Sequence, residues 1–263
     1  MSDAAARAID TDAANYQLGN EVFQLANATF VRNRDTPDIY DANHVTNIRA
    51  RTPQEIDELF AAADREFAHS GHRRFDVDFR TPPEFHARIL LESGFERSDG
   101  LLLLLEGELL SSPPHMDIRP VESDADWEIY RELSLLDWIE GMKRMGLPPQ
   151  EEVGYQMFQT NRRKQPPVQN WFAYDGERPV AYFNSWEGVD GVGQVENLFT
   201  HPDFRNRGFA AALIGHCVAD SRAKGAGPVV IAADPTDTPK NAYARMGFRP
   251  IATATHYLKK LTK

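Results

Sequence analysis

The residues 195–210 carry the spacing with the clearest chemical meaning in this chain. The pattern from Val195 to Thr200 predicts a strand, which Pro202 ends because proline has no N–H to donate to a sheet. The turn Arg205-x-x-Gly208-x-Ala210 follows. Apolar residues at helical spacing then predict a helix that Gly225 ends.

A strand that passes through such a turn into a helix forms a binding site for an anion. The first N–H groups of the helix, at about residues 207–210, have no partner within the helix and point towards one spot. Gly208 has no side chain to block a close approach, and Arg205 and Arg207 add positive charge. This chemistry suits a pyrophosphate. The spacing is neither a P-loop nor the glycine pattern of dinucleotide folds.

The turn resembles motif A of the GNAT superfamily of acetyl-CoA-dependent N-acetyltransferases, which reads Arg/Gln-x-x-Gly-x-Gly/Ala. The segment 241–250 resembles the C-terminal part of the same superfamily, in which a tyrosine, here Tyr243, stands four residues before Gly-Phe. Two motifs in the right order are more specific than either alone. The resemblance is dense over roughly residues 167–257 and thinner from about residue 116.

The resemblance implies acetyl-CoA as the donor, with its pantetheine arm on the backbone of residues 198–200. It implies that Tyr243 is the general acid that protonates the departing thiolate, since a phenol is a suitable donor to a thiolate. The alternative is that Tyr243 only packs the helix on the sheet. The residues expected to bind the donor are Leu198, Phe199, Thr200, Arg205, Asn206, Arg207, Gly208, Phe209, Ala210 and Asn241.

Glu196 is the candidate general base for an amine acceptor. Because it lies two residues before Leu198, we expect its side chain to share a face with Leu198 and Thr200. The alternative is an exposed strand carboxylate, and Asn241 can equally cap a turn. Weaker candidate bases are Glu187 and Asp190. Structural roles are expected for His201, His216 and Cys217, and no cluster has the spacing of a metal site.

Composition favours an ordinary globular protein. The chain has 263 residues and a formal net charge of −10; residues 1–112 hold 11 Arg, no Lys and 20 Asp and Glu, so that half carries most of the negative charge. No basic patch predicts nucleic-acid binding, and no apolar run predicts a membrane span. We expect no signal peptide, a cytoplasmic location for a chain with the single cysteine Cys217, and a monomer or homodimer.

The predicted fold class is α+β, with a mixed and mostly antiparallel sheet flanked by helices. Residues 1–20 are expected to be a frayed lead-in, and 21–32 to be a helix or a strand. Thr52 is predicted to cap a helix, and Ser123 or Asp124 a second, longer one. A helix opened by Pro82-Pro83 is expected to bury its apolar residues Phe85, Ile89, Leu90 and Leu91.

The two halves of the chain resemble an internal repeat, and the alternative is coincidence, since Gly-Phe after a helix is common. The order strand, helix, Gly94-Phe95, strand in the first half matches strand, helix (238–246), Gly247-Phe248, strand (251–258) in the second. The first half lacks the anion-binding turn and has Leu90 at the tyrosine position. We therefore predict a tandem chain with a degenerate GNAT-like unit at 1–112 and an acetyltransferase domain at 113–263.

The leading hypothesis is an N-acetyltransferase that acts on an amine of a small molecule or a peptide. One alternative is a non-catalytic acyl-CoA-binding or regulatory module, which would not need Tyr243. A second is an enzyme similar to mycothiol synthase, which shares the tandem layout. The acceptor itself is not identified by the sequence.

Overall fold

The computed structural model describes residues 3–235 and 239–261. Within these ranges the helices are α1 (Asp3–Gln17), α2 (Pro53–Glu66), α3 (Pro83–Ile89), α4 (Asp124–Arg144), α5 (Glu151–Arg163), α6 (Phe209–Ala223) and α7 (Pro239–Met246). The strands are β1 (Glu21–Leu25), β2 (Ala28–Arg32), β3 (His44–Thr46), β4 (His72–Val77), β5 (Glu96–Leu105), β6 (Asp117–Pro120), β7 (Gln169–Asp175), β8 (Arg178–Val189), β9 (Val192–Thr200), β10 (Val229–Ala233) and β11 (Arg249–Lys260).

The described strands form one sheet in the order β1-β2-β3-β4-β11-β5-β10-β9-β8-β7-β6. Neighbours are antiparallel except for the pairs β3/β4 and β9/β10, which are parallel. The predicted α+β class with a mixed, mostly antiparallel sheet is therefore confirmed.

The sheet reads as two similar halves that meet at its centre. The run β3-α2-β4-α3-β5 has the same order and the same single parallel pair as the run β9-α6-β10-α7-β11. The final strands are exchanged: β11 lies between β4 and β5, and β5 lies between β11 and β10. The predicted repeat is thus present, while the division at residue 112 stays a prediction.

The side chains that were predicted to cap α2 and α4 do form the N-caps of these helices. Thr52 accepts from the N–H of Glu55 at 3.2 Å, and Glu55 accepts from the N–H of Thr52 at 2.9 Å. Ser123 caps α4 in the same way, with Asp126 as its partner. The predicted start of α7 at Thr238 lies outside the described residues.

The expectation of a frayed lead-in was wrong. The segment forms α1, whose inner face is buried against the sheet. Thr11 Oγ1 donates to the carbonyl of Val192 at 2.8 Å, and Gly188 leaves room for this contact, since a Cβ there would lie 2.8 Å from Thr11 Cγ2. The inner face is small and polar, so its partner on a distant strand could not be inferred from apolar periodicity.

The structure also decides the secondary structure of residues 21–32 and the burial of the apolar residues of α3. The segment 21–32 is a hairpin of β1 and β2. Helix α3 buries Phe85 and Ile89 as predicted, but Leu90 and Leu91 are 67% and 81% exposed, so their predicted burial was wrong. The helix ends at Ile89, and the two leucines lie beyond its inward face.

The apolar core lies on both faces of the sheet. On one face, α6 and α7 cover a cluster that includes Val195, Leu213 and Ile231. On the other face, α4 and α5 cover a cluster with Tyr130, Tyr182 and Phe199, and α1 covers the centre of the sheet. These two faces are called here the α6 face and the α4 face.

Candidate active site

The strands β9 and β10 diverge, and a cleft lies between them. Along its other edge β9 pairs with β8 as far as Thr200, but it pairs with β10 only at Gly193/Val229 and Gln194/Val230. A cavity of about 250 Å³ occupies the gap beyond these pairs. Its lining residues are Phe183, Glu196, Asn197, Leu198, Ile231, Ala232, Ala233, Asp234 and Tyr243.

A β-bulge at Asn197 sets the direction of the side chains in the cleft. Asn197 has a φ of +60°, and the register shifts so that Asn184 pairs with Glu196 while Tyr182 pairs with Phe199. One extra residue therefore stands on β9 between these pairs. The left-handed conformation is one that asparagine tolerates better than most residues.

The bulge corrects the predicted orientation of Glu196. Leu198 packs in the α6-face cluster with Val195, whereas Phe199 packs in the α4-face cluster. Because the extra residue reverses the alternation, Glu196 shares the α4 face with Phe199 and not, as expected, a face with Leu198 and Thr200. Glu196 nevertheless lines the cleft.

Glu196 has the electrostatic surroundings of a proton acceptor. Burial raises its pKa, and the negative charge of Asp41 acts in the same direction, while the ammonium group of Lys164 opposes both. Its Oε2 atom is buried and has no hydrogen-bond partner among the described residues. A carboxylate with a raised pKa and a free lone pair can accept the proton of an amine near neutral pH.

Tyr243 reaches the same cleft from the opposite face. It lies on α7, is 6% exposed and packs in the α6-face cluster, with its ring centroid 6.3 Å from that of Phe248. The cleft therefore brings together a carboxylate from the α4 face and a phenol from the α6 face. An acyl group held between them would have a base on one side and an acid on the other.

The N-terminus of α6 follows the end of β9 after a short turn and is a candidate anion site. Gly208 is the N-cap with a φ of +94°, and no side chain caps the helix. A Cβ at Gly208 would lie 2.9 Å from Pro114 Cγ, so glycine is required both by the backbone and by this neighbour. The N–H groups of the first turn, at residues 209–211, are left for an external acceptor.

The two arginines of the turn differ in what they contact. Arg205 donates to both carboxylate oxygens of Glu140 at 2.7 Å, and its Nε donates to the carbonyl of Thr200 at 3.0 Å, so it ties the turn to α4. Arg207 is more exposed: it donates to the carbonyl of Asp203 at 3.1 Å, and its Nη1 lies 3.6 Å from a carboxylate oxygen of Asp175. Because its carboxylate contact is longer and more exposed than that of Arg205, Arg207 is the cation better placed to meet a phosphate.

The remaining residues that were predicted to bind the donor do not all lie at the cleft or at the surface of the turn. Asn206 has a φ of +61° and shapes the turn, while Phe209 is buried in the core. Ala210 is half-buried in the first turn of α6. Asn241 is exposed on α7 and is not among the residues that line the cleft.

The histidines and the cysteine have the predicted structural surroundings. His201 Nδ1 accepts from the N–H of Asp203, and the His216 ring packs 4.2 Å from that of Trp171. Burial raises the pKa of the Cys217 thiol, which disfavours the reactive thiolate. Among residues 3–235 and 239–261, no group of three or more His, Cys, Asp or Glu side chains is arranged to hold a metal ion.

In the first half of the chain, the positions that correspond to the α6 N-terminus and to the cleft are filled by the protein itself. Helix α2, which corresponds to α6, has its N-terminal N–H groups occupied by its own Thr52 and Glu55. The gap beside β3 and β4 encloses only about 40 Å³ and is lined by Asp12 and Tyr16 of α1. A second anion at α2 would have to displace a bound carboxylate.

Three ionisable residues near the site were not predicted as buried partners of β9, although Lys164 belongs to the basic cluster 162–164, which was expected to be a solvated helix end. Asp137 on α4 accepts from the hydroxyl of Tyr182 at 3.0 Å, and burial raises its pKa to about 6. Lys164 is buried and donates to Asn15 at 2.6 Å. Asp12 lies on α1, where burial and the charge of Glu196 raise its pKa to about 8. All three come from elements far from β9 in sequence.

Residues 127–248 match the model of the acetyltransferase (GNAT) family. This part of the chain is a GNAT acetyltransferase domain. It contains β9 with its bulge, the turn at Gly208, α6, β10 and Tyr243, and so includes both sides of the cleft. No curated protein matches the chain significantly.

Solved structures share the fold over nearly the whole chain. A functionally unknown conserved protein from Staphylococcus epidermidis is 17% identical and has a TM-score of 0.68, over 93% of this chain and 95% of that one. A GCN5-related N-acetyltransferase from Kribbella flavida is 18% identical with a TM-score of 0.62, over 98% and 96%.

A tandem GNAT protein from the clavulanic acid biosynthesis pathway is 13% identical, with a TM-score of 0.57, over 81% of this chain and 72% of that one. At these identities the similarity shows the fold alone. The fold is that of GNAT proteins, and the two-unit reading of the chain has a structural parallel in a tandem member.

The described helices include none that is both long and apolar enough to cross a membrane.

Proposed function

We propose that this protein is an acetyl-CoA-dependent N-acetyltransferase that transfers the acetyl group directly to an amine of a small molecule or a peptide. The observation that carries the proposal is the cleft between β9 and β10, which Glu196 and Tyr243 line together. The N-terminus of α6, the candidate anion site, follows the end of the same strand after a short turn.

The donor would be held by backbone groups and by the helix terminus. The edge of β9 that faces β10 has no ladder partner beyond Gln194 among the described residues, so its backbone groups are available to the amides of a pantetheine arm. The first turn of α6 and Arg207 would hold the pyrophosphate.

The reaction forms one N–C bond and breaks one C–S bond. Glu196 accepts the proton that the amine loses as its nitrogen attacks the thioester carbonyl carbon, and Tyr243 donates a proton to the sulfur that leaves. The cleft supplies the positioning, which accounts for much of the rate enhancement of a two-substrate transfer. The raised pKa of Glu196 suits a base that works near neutral pH.

The test is a screen of the purified protein with acetyl-CoA against amines, aminoglycosides, amino acids and a lysine peptide. Thiol release that depends on one acceptor class, with the acetylated product identified by mass spectrometry, supports the proposal. Coenzyme A binding without turnover of any acceptor would instead identify a binding or regulatory module.

A further inference from the structure

Helix α1 is fixed on the hairpin that leads into the cleft. Besides its bond to Val192, Thr11 Oγ1 lies within hydrogen-bond distance of the carbonyl of Val189 at 3.2 Å and of its N–H at 3.3 Å. Arg7 donates to the carbonyl of Asp190 at 3.1 Å. These hydrogen bonds fix the position of α1 over β9, and with it the position of the residue that follows Thr11.

The residue that follows Thr11 is Asp12, which is 5% exposed. Its Oδ1 accepts from Gln194 Nε2 at 2.9 Å, and Gln194 Oε1 accepts from Trp186 Nε1 at 3.2 Å. The indole N–H can only donate, so it fixes the orientation of the amide and directs the NH₂ group at Asp12.

The residue that binds the Asp12 carboxyl group, Gln194, stands on the same strand as the candidate base. Gln194 and Glu196 are two residues apart on β9, before the bulge, so their side chains stand on the same face about 7 Å apart at their bases. The negative charge of Glu196 raises the pKa of Asp12, in addition to the effect of burial. Two buried carboxyl groups that interact in this way cannot both ionise freely.

The other charged and titratable groups around the pair come from several elements. Asp41 follows β2, Asp76 lies on β4, and Lys164 follows α5. Arg74 and Tyr16 also belong to this group, since Arg74 bonds to both Asp41 and Asp76 and its guanidinium lies over the Tyr16 ring. His44, Asp78 and His256 line the same cavity as Asp12. Burial and the Asp12 charge raise the pKa of Tyr16, so that its phenol stays neutral.

We propose that Asp12 is a positioning residue of the acetyl transfer: its carboxyl group shares one proton with Glu196 and thereby sets the pH range in which Glu196 acts as the base. The inference rests on the proposed function. It extends the active site beyond the acetyltransferase domain, because Asp12 belongs to α1, outside residues 127–248. The first half of the chain thus supplies a working part of the site.

The proton resides on Asp12 at neutral pH, since the Asp12 pKa is raised to about 8 by burial and by the charges of Glu196, Asp76 and Asp41. With the proton on Asp12, Glu196 is the carboxyl group that accepts the acceptor's proton. Above about pH 8 the loss of the Asp12 proton places a second negative charge beside Glu196, which makes Glu196 a stronger base.

The kinetic test compares wild type with Asp12→Asn. The asparagine oxygen can still accept from Gln194, so the variant removes only the titratable group. The ratio of kcat/KM of wild type to variant is measured from pH 6 to 9, because the acceptor's own ionisation cancels in it. We expect the ratio to rise roughly threefold or more through about pH 8. A ratio that stays flat over this range overturns the proposal.

The matched control is Asp10→Asn. Asp10 lies on the same helix and its carboxylate pairs with Arg80 at 2.7 Å, so the control removes an equal charge away from Glu196. We expect a flat ratio for this variant. A pH-dependent ratio equal to that of Asp12→Asn would show a general charge effect and would overturn the specific role of Asp12.

A second measurement does not depend on catalysis. The Glu196 carboxyl signal in ¹³C NMR, assigned by its loss in Glu196→Gln, is followed against pH. We expect two titration steps in wild type and one in Asp12→Asn. A single step in both overturns the shared proton, whereas two steps in a protein that acetylates no acceptor would leave the proton sharing intact and refute the proposed function.

Discussion

At the residue scale, the fold places a few polar side chains of the candidate site in buried and charged surroundings. Glu196 and Asp12 are carboxyl groups whose pKa values burial raises, and Lys164 partly compensates the first of them. Tyr243 was predicted from its distance to Gly247-Phe248, and it does line the cleft with Glu196. The catalytic roles of both residues remain proposals.

The raised pKa of Asp12 makes the stability of the protein depend on pH. In the unfolded chain the carboxyl group ionises near 3.8, and in the folded protein near 8. The folded state therefore holds the extra proton between these values, and the free energy of unfolding falls as the pH rises through this window, by up to about 1.4 kcal/mol per pH unit.

Asp12→Asn should remove this dependence. We expect the variant to gain stability relative to wild type by a few kcal/mol between pH 5 and pH 8. Urea unfolding at the two pH values measures the difference. A stability difference that is the same at pH 5 and pH 8 would show that the Asp12 carboxyl group ionises normally in the folded protein.

At the scale of elements, the sequence predicts local structure well and long-range packing poorly. The strand, turn and helix of 195–225 and the capping box at Thr52 depend on residues close in sequence, and both were predicted correctly. The bulge at Asn197 was missed because an asparagine in a strand does not by itself indicate a left-handed backbone. Helix α1 was missed because its inner face includes Thr11 and Asp12, whose partners lie about 180 residues away.

The N-terminus of α6 can be tested without disturbing the fold. Gly208 is a poor position for this, because its φ of +94° strains any side chain and Pro114 fills the space. Ala210 is better, since α6 has no acidic residue in its first turn, where a carboxylate stabilises a helix by about 0.3 to 1 kcal/mol.

We expect Ala210→Glu to weaken coenzyme A binding at least about tenfold, because its carboxylate repels the phosphates at the helix terminus. Ala210→Gln has nearly the same size without the charge and is expected to bind much more tightly than the Glu variant. Calorimetry gives the affinities, and thermal melts check that both variants are folded. Equal affinities for the two variants would remove the helix terminus from the cofactor site.

At the scale of the whole molecule, the exchange of final strands makes the two halves interdependent. Strand β11 is hydrogen-bonded to β4 and β5, and β5 is hydrogen-bonded to β11 and β10. This exchange could not be predicted from the sequence, because a strand has the same alternation of residues whichever sheet it joins. The repeat itself could be predicted, because Gly94-Phe95 and Gly247-Phe248 stand between equivalent helices and strands.

The interdependence predicts that the chain unfolds as one unit. All four tryptophans, at positions 127, 138, 171 and 186, lie in the second half, so their fluorescence reports on that half. Leu59 is fully buried on α2 in the first half, and Leu59→Ala is expected to lower the free energy of unfolding by about 2 to 5 kcal/mol.

We expect the tryptophan fluorescence of Leu59→Ala to report the same loss of stability as circular dichroism, which follows the whole chain. If the two halves unfolded independently, the fluorescence transition would stay at the wild-type urea concentration while only part of the circular dichroism transition moved.

The central claim is that the cleft between β9 and β10 catalyses acetyl transfer, and Tyr243→Phe tests it most directly. The substitution keeps the ring in the core of the α6 face and removes only the hydroxyl group, which acts in the transition state rather than in the ground state. We predict unchanged coenzyme A affinity and a fall in kcat on the order of 100-fold with the best acceptor of the screen. A kcat within about threefold of wild type, with chemistry shown to limit the rate, would contradict the account.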